Sequence, residues 1–119
     1  MSRLAIAIAG AAMLLGGCAF VPQVNHRLEE VKRVQAAALA EAQVPALAPA
    51  QWARASGALA AAVEAWGTHQ DCAVVDHLAY VARQRIEIAR ETARRVAAEA
   101  VVETALKERE AARRVSLQR

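Results

Sequence analysis

The sequence predicts an all-α fold: a small up-down-up helical bundle with a long, projecting third helix. Three observations lead there. Of 119 residues 56% are hydrophobic but 3% aromatic, and 32 are alanine, so the core must be built from small side chains that favour closely spaced helices. All five glycines and all three prolines lie at or before Gly67, which leaves residues 68–119 without a strong helix breaker. From Val75 onward apolar residues alternate at intervals of four and three, the period of a helix packed in left-handed, coiled-coil fashion.

The first helix is expected over about 24–43, with Val24, Leu28, Val31, Ala38, Leu39 and Ala42 on one stripe. The segment "VPALAP" follows; its Pro45 and Pro49 should end that helix and restart the chain in a turn. The second helix is expected over about 49–66. Trp52, Ala55, Ser56, Leu59, Ala62, Val63 and Trp66 fall at helical spacing, and Gly67 is suited to close its C-terminus. Gly57 lies inside it at a propensity cost of about 1 kcal/mol relative to alanine.

The third helix is expected over about 70–117, with Thr68 as cap and Asp71 three residues on in the manner of a capping box. Its stripe starts at Val75, Ala79, Ala82 and Ile86 and runs through Ala89, Ala93, Val96 and Ala100. Glu91 with Arg95 and Glu103 with Lys107 form supportive pairs on the outer surface. Trp52, Leu59, Trp66, Leu78, Ile86 and Ala89 are the expected bundle builders. At about 1.5 Å per residue the first two helices reach about 25–30 Å and the third about 70 Å. Its distal half must therefore outrun its partners, and a stripe near Val96, Ala100 and Leu106 is the candidate docking surface for a partner or a second copy.

Residues 1–17 have the layout of an export signal: a basic start at Arg3, an uncharged run from Leu4 to Leu15, then Gly16 and Gly17. The run is about twelve residues, short of the roughly twenty needed to span a bilayer. Leu15-Gly16-Gly17-Cys18 resembles the lipobox of bacterial lipoproteins, which implies cleavage before Cys18 and lipidation of that residue. On that resemblance, residues 18–23 are a lipidated N-terminus with a short tether, and residues 24–119 form the helical domain. Several acyl chains together anchor a protein durably. The alternative is an ordinary secretory signal that leaves Cys18 a plain thiol. In such lipoproteins an Asp after the cysteine favours inner-membrane retention; Ala19 stands there, so the outer membrane, periplasmic face, is the implied address.

Without residues 1–17 the chain has 102 residues, enough for one small domain. The removed segment carries one charge, Arg3, so 14 Lys and Arg remain against 12 Asp and Glu. That balance is too weak to argue for nucleic acid. With Cys18 lipidated, Cys72 is an odd cysteine in an oxidising compartment, either buried or free to pair with another molecule.

"DHLAYVARQRIEIARETARRVAAE", Asp76 to Glu99, resembles domain-of-unknown-function family 4398, helical modules of envelope lipoproteins that often precede an OmpA-like peptidoglycan-binding domain. "HLAY" at His77 to Tyr80 and "QR..IA..TA" at Gln84 to Ala93 carry most of the match, and Pro49 to Trp66 agrees more loosely. The resemblance implies a periplasmic helical module with a tetratricopeptide-like helix pair and no established catalytic activity. No OmpA-like domain is expected behind Arg119, so the resemblance does not carry peptidoglycan binding over to this sequence. It also lacks the C-terminal Lys by which the Braun-type lipoprotein is joined to the wall.

His69, Asp71, Cys72, Asp76 and His77 contain the residue types that hold zinc, but their spacing matches no familiar motif. Cys72 and His77 are five apart, whereas helical neighbours come at three and four. No nucleophile has a base placed beside it and no glycine-rich phosphate loop exists, so neither catalysis nor a cofactor is expected. Trp52, Trp66 and Tyr80 could form a sugar-stacking platform, yet both tryptophans fall on the packing stripe. The leading expectation is a non-catalytic interaction or scaffold module of the envelope, anchored through Cys18, whose partner is an envelope protein, the cell wall or itself. The alternative is a redox- or metal-responsive sensor using Cys72 with His69 and His77.

Overall fold

A computed structural model describes residues 23–41, 43–68 and 71–119. Within them the chain is all helical: α1 spans His26–Ala40, α2 Gln43–Leu47, α3 Pro49–Thr68 and α4 Cys72–Leu117. The expected up-down-up bundle is present, with one element added. Residues 43–47, of which 44–47 are expected as a turn, form the short α2. Neither proline breaks a helix there, because Pro45 lies in the first turn of α2 and Pro49 opens α3, positions whose N–H has no helical partner to lose.

α1 begins two residues later than the stripe suggested because Asn25 caps it. The Leu28 N–H donates to Asn25 Oδ1 at 2.9 Å, while Asn25 Nδ2 donates to Asp76 Oδ1 at 3.0 Å. A single buried side chain thus starts α1 and ties it to the first turns of α4. Val24 lies outside the helix and is exposed, as is Leu39; Ala42 lies outside the described residues.

α4 starts two residues later than expected. Asp71 is itself the cap, accepting from the Ala73 and Val74 N–H groups at 3.0 and 3.3 Å. Thr68, expected there, instead ends α3 and donates its hydroxyl to the Glu64 carbonyl. Gly67 is accordingly inside the last turn of α3 and not beyond it. Aspartate wins the cap because its carboxylate accepts two N–H bonds and also suits the positive end of the helix.

The 46 residues of α4 are the spine against which α1, α2 and α3 all pack. Pairs Asn25 with Asp76, Glu30 with Arg83 and Glu41 with Arg90 run in the same direction along both helices, so α1 is parallel to α4. α3 returns antiparallel, with Arg54 beside Arg85, and Ala58 and Ala61 near Leu78 and Val81. The core consists of Leu28, Val31, Ala38, Ala55, Leu59 and Ala62 against Val75, Ala79, Ala82 and Ile86. Val44 and Ala48 extend it over Ala89 and Ala93. Eight of the fourteen buried hydrophobic residues are alanine, which lets helix axes approach toward the 8 Å limit of side-chain packing. Trp52, Trp66 and Leu78 lie half-buried against this core, in keeping with a packing role for the tryptophans. Val63, placed on the α3 stripe, is exposed.

Candidate interaction surface

The first six stripe residues of α4, Val75 through Ala93, are buried against the other helices. The seventh, Val96, is half-buried, and the eighth, Ala100, is exposed. Every residue from Ala98 to Arg119 is exposed. At about 1.5 Å per residue this leaves about 30 Å of helix beyond the bundle.

The stripe changes character where the bundle stops. Continuing at intervals of four and three past Ala100, the bundle-facing side presents Glu103, Lys107, Glu110 and Arg114. These charges are matched within the helix: Lys107 Nζ lies 2.6 Å from Glu103 Oε1, and Arg114 Nη2 2.6 Å from Glu110 Oε1. Burying them under another helix would mean dehydrating four charges, so the bundle ends at Ala100 for a chemical reason. The same pairs support the free helix at a few tenths of a kcal/mol each. Nucleation is already accomplished in the packed half, so the distal half needs only propagation.

Meanwhile the apolar residues move round the helix. Ala98, Val102, Ala105 and Ala112 lie on a four-and-three series interrupted by Arg109, roughly 140° from the buried stripe at about 100° per residue. Val101, Leu106 and Val115 flank them, with 69%, 59% and 54% of their surface exposed. In the packed half the corresponding outer side carries Gln84, Glu87 and Glu91, with Tyr80 exposed among them. The helix therefore has two apolar faces in succession, one used inside the chain and one left open.

The expected docking residues fall on both. Val96 and Ala100 continue the bundle stripe, whereas Leu106 lies roughly 120° away from Ala100 and belongs with the outer face. The structure does not bring the three together. Sequence spacing contained the missing signal: the four-and-three pattern reaches Glu103 directly after Ala100.

Near the C-terminal end of α1, that helix is tied to α4 by a pair that the sequence pattern does not single out. Arg90 Nη2 donates to Glu41 Oε1, and Arg90 Nη1 lies 3.4 Å from Glu87 Oε1. The hydrogen bond from Arg90 holds the Glu41 carboxyl below the usual carboxylate range; partial desolvation opposes it, and the positive charges of Arg90 and Arg94 add to it. At the other end of α1, Arg27 and Asp76 approach to 3.6 Å and Arg83 and Glu30 to 2.7 Å, beside the exposed Tyr80.

Cys72 is the first residue of α4 and is an exposed, free thiol. His77 is exposed on the same helix five residues on, and His69 lies outside the described residues. No group of three or more His, Cys, Asp or Glu side chains gathers among the described residues in an arrangement that could hold a metal. Cys18 and the apolar run before it also lie outside the described residues. Among those described, no helix is long and apolar enough to cross a membrane.

The model of a domain of unknown function (DUF4398) matches residues 26–105. That span covers α1 to α3 and α4 as far as Ala105. Neither a curated protein nor a solved structure matches the chain.

Proposed function

The chain belongs to the DUF4398 family, and from that premise we propose that it is a lipid-anchored envelope protein acting as a non-catalytic interaction module. In this reading Cys18 carries the anchor, the outer membrane's periplasmic face is the address, and the bundle is a rigid base from which α4 reaches a partner. The observation that carries it is the complete exposure of α4 from Ala98 onward, with Val101, Val102 and Leu106 presented to solvent beyond a bundle that cannot cover them. An apolar helix face with no neighbour in its own chain favours association. The export-like start and the Leu15-Gly16-Gly17-Cys18 motif support the address.

Photo-crosslinking in cells from Arg109, on the open face, tests the reading. A discrete adduct, to an envelope component or to a second copy, is the expected result; no adduct from Arg109 or from neighbouring positions would overturn it. The anchor is tested separately. Cys18→Ala should move the protein out of the membrane fraction, and unchanged membrane association would remove Cys18 from the reading.

A further inference from the structure

We propose that the groove between α3 and α4, on the side of their seam that α1 leaves uncovered, takes an acidic amphipathic helix of another protein. This adds a second surface to the interaction-module reading and makes no use of the distal half of α4. The seam has two sides. α1 fills one, laying Leu28, Val31 and Ala38 into the core while its Glu30 meets Arg83 and Glu41, just beyond its end, meets Arg90. On the other side two adjoining hollows form one groove, which runs about 15 Å along α3 from Gln51 to Ala61 at about 1.5 Å per residue. Leu78, Val81 and Ile88 of α4 make its facing wall apolar.

Arg54 on α3 and Arg85 on α4 line this groove from opposite walls, and both are exposed. Neither makes an ion pair among the described residues, whereas Arg83, Arg90, Arg94 and Arg95 of the same α4 are all paired. No Asp or Glu stands three or four residues from Arg54 or Arg85, so neither helix supplies a partner of its own. Two like charges on facing walls favour an acid brought from outside. Gly57 lines the same groove from inside α3, where glycine is a poorer helix former than alanine. A methyl group added there would meet nothing within 4 Å, so no neighbour in the chain requires glycine. What the missing side chain provides is room for a backbone approaching from outside.

Charge and shape together select the occupant. α1 displays what α4 accepts on its other flank, an apolar stripe with carboxylates beside it that reach arginines. A helix with such a stripe and acids opposite Arg54 and Arg85 repeats that solution, since each guanidinium offers a carboxylate two parallel donors.

Photo-crosslinking from Ala61 of the full chain in cells, with the joined peptides mapped by mass spectrometry, tests the assignment. Ala61 is exposed in the groove; Ala53, exposed on α3 outside it, is the control position. The expected adduct forms from Ala61 and not from Ala53, and joins a segment of another protein that carries acids along an apolar stripe of helical spacing. Arg54→Glu with Arg85→Glu should cut its yield about tenfold, and lysine in place of the mapped acids should restore it. Gly57→Leu should cut the yield comparably while raising the thermal midpoint read by circular dichroism, whereas a merely structural glycine would lower that midpoint when replaced. No adduct from Ala61 or from Ile88 would overturn the proposal, as would an adduct indifferent to both arginines or a mapped segment without acids. An adduct to lipid or to a second copy of this chain would give the groove to that occupant and overturn it equally. If Arg109 yields an adduct and the groove yields none, this inference fails and the interaction-module reading stands.

Discussion

The two halves of α4 are one continuous helix with opposite commitments. From Cys72 to about Ala97 its stripe is Val75, Ala79, Ala82, Ile86, Ala89 and Ala93, all buried. From Glu103 onward the continuation of that stripe is Glu103, Lys107, Glu110 and Arg114, while Val102, Ala105 and Ala112 lie on another side, all exposed. Helix propensity hardly differs between the halves, since both are rich in alanine, glutamate and arginine. What differs is the angular position of the apolar residues. The lesson is that a helix's length and its packing are specified separately: propensity and internal ion pairs carry it onward, while the placement of the stripe decides where its own chain stops covering it.

The largest effect should separate the halves most plainly. Ile86→Ala removes a fully buried side chain at the centre of the bundle and should cost about 2–5 kcal/mol of unfolding free energy. Leu106→Ala, on a side chain 59% exposed, should stay within about 0.5 kcal/mol in the monomer, as read by urea unfolding at low concentration. A comparable loss at Leu106 would mean that the distal half folds back onto something in its own chain.

Enlarging the small residues sharpens the contrast. Ala82→Leu inserts bulk into a fully buried site and should cost about 1–3 kcal/mol, because the closely spaced helices must separate. Ala105→Leu, on the open face, should leave monomer stability nearly unchanged by the same measurement. Next in size is Asn25→Ala, which loses a cap and strands Asp76 without its amide donor. It should cost about 1–2 kcal/mol, visible as earlier thermal loss of ellipticity. The distal half has no counterpart to this bond.

The smallest expected effect is electrostatic. Glu41 has its carboxyl lowered below the ordinary value in the folded chain, chiefly by the hydrogen bond from Arg90. Its contribution is therefore present above the ordinary carboxylate value and is lost as pH falls through the lower folded value. Denaturant midpoints of the wild type and Glu41→Gln should differ slightly at neutral pH and converge in acid. A gap that stays constant with pH would show that this pair does not set the seam between α1 and α4.

Much of the fold was legible because its determinants are local and periodic. The concentration of glycine and proline before residue 68 marked one long final helix, and six stripe positions from Val75 to Ala93 are the buried ones. Three features escaped for physical reasons. Pro45 read as a breaker, but proline is equally at home in a first helical turn, and only Val44 and Ala48 packing on Ala89 and Ala93 selects that outcome; Pro49 opens α3, where the second helix is expected to start. Thr68 and Asp71 both suit a cap, and the choice between them depended on where α3 runs out. The ties of Asn25 to Asp76 and Glu41 to Arg90 join residues about fifty positions apart, which no local pattern reports. For the interaction surface, the sequence spacing named Val96, Ala100 and Leu106, residues that lie on two different sides of the helix. Val96 and Ala100 continue the buried stripe; the turn of the apolar face toward Val101, Val102 and Leu106 became plain once burial showed which side the bundle uses.

The most direct measurement of this division is amide hydrogen exchange along α4 in the full chain, compared at low and high protein concentration. The account predicts strong protection from Val75 to Ala93 at both concentrations, and weak protection from Ala98 to Ser116 at low concentration. Equal protection of both halves at low concentration would contradict it, since the distal helix would then be covered within its own chain.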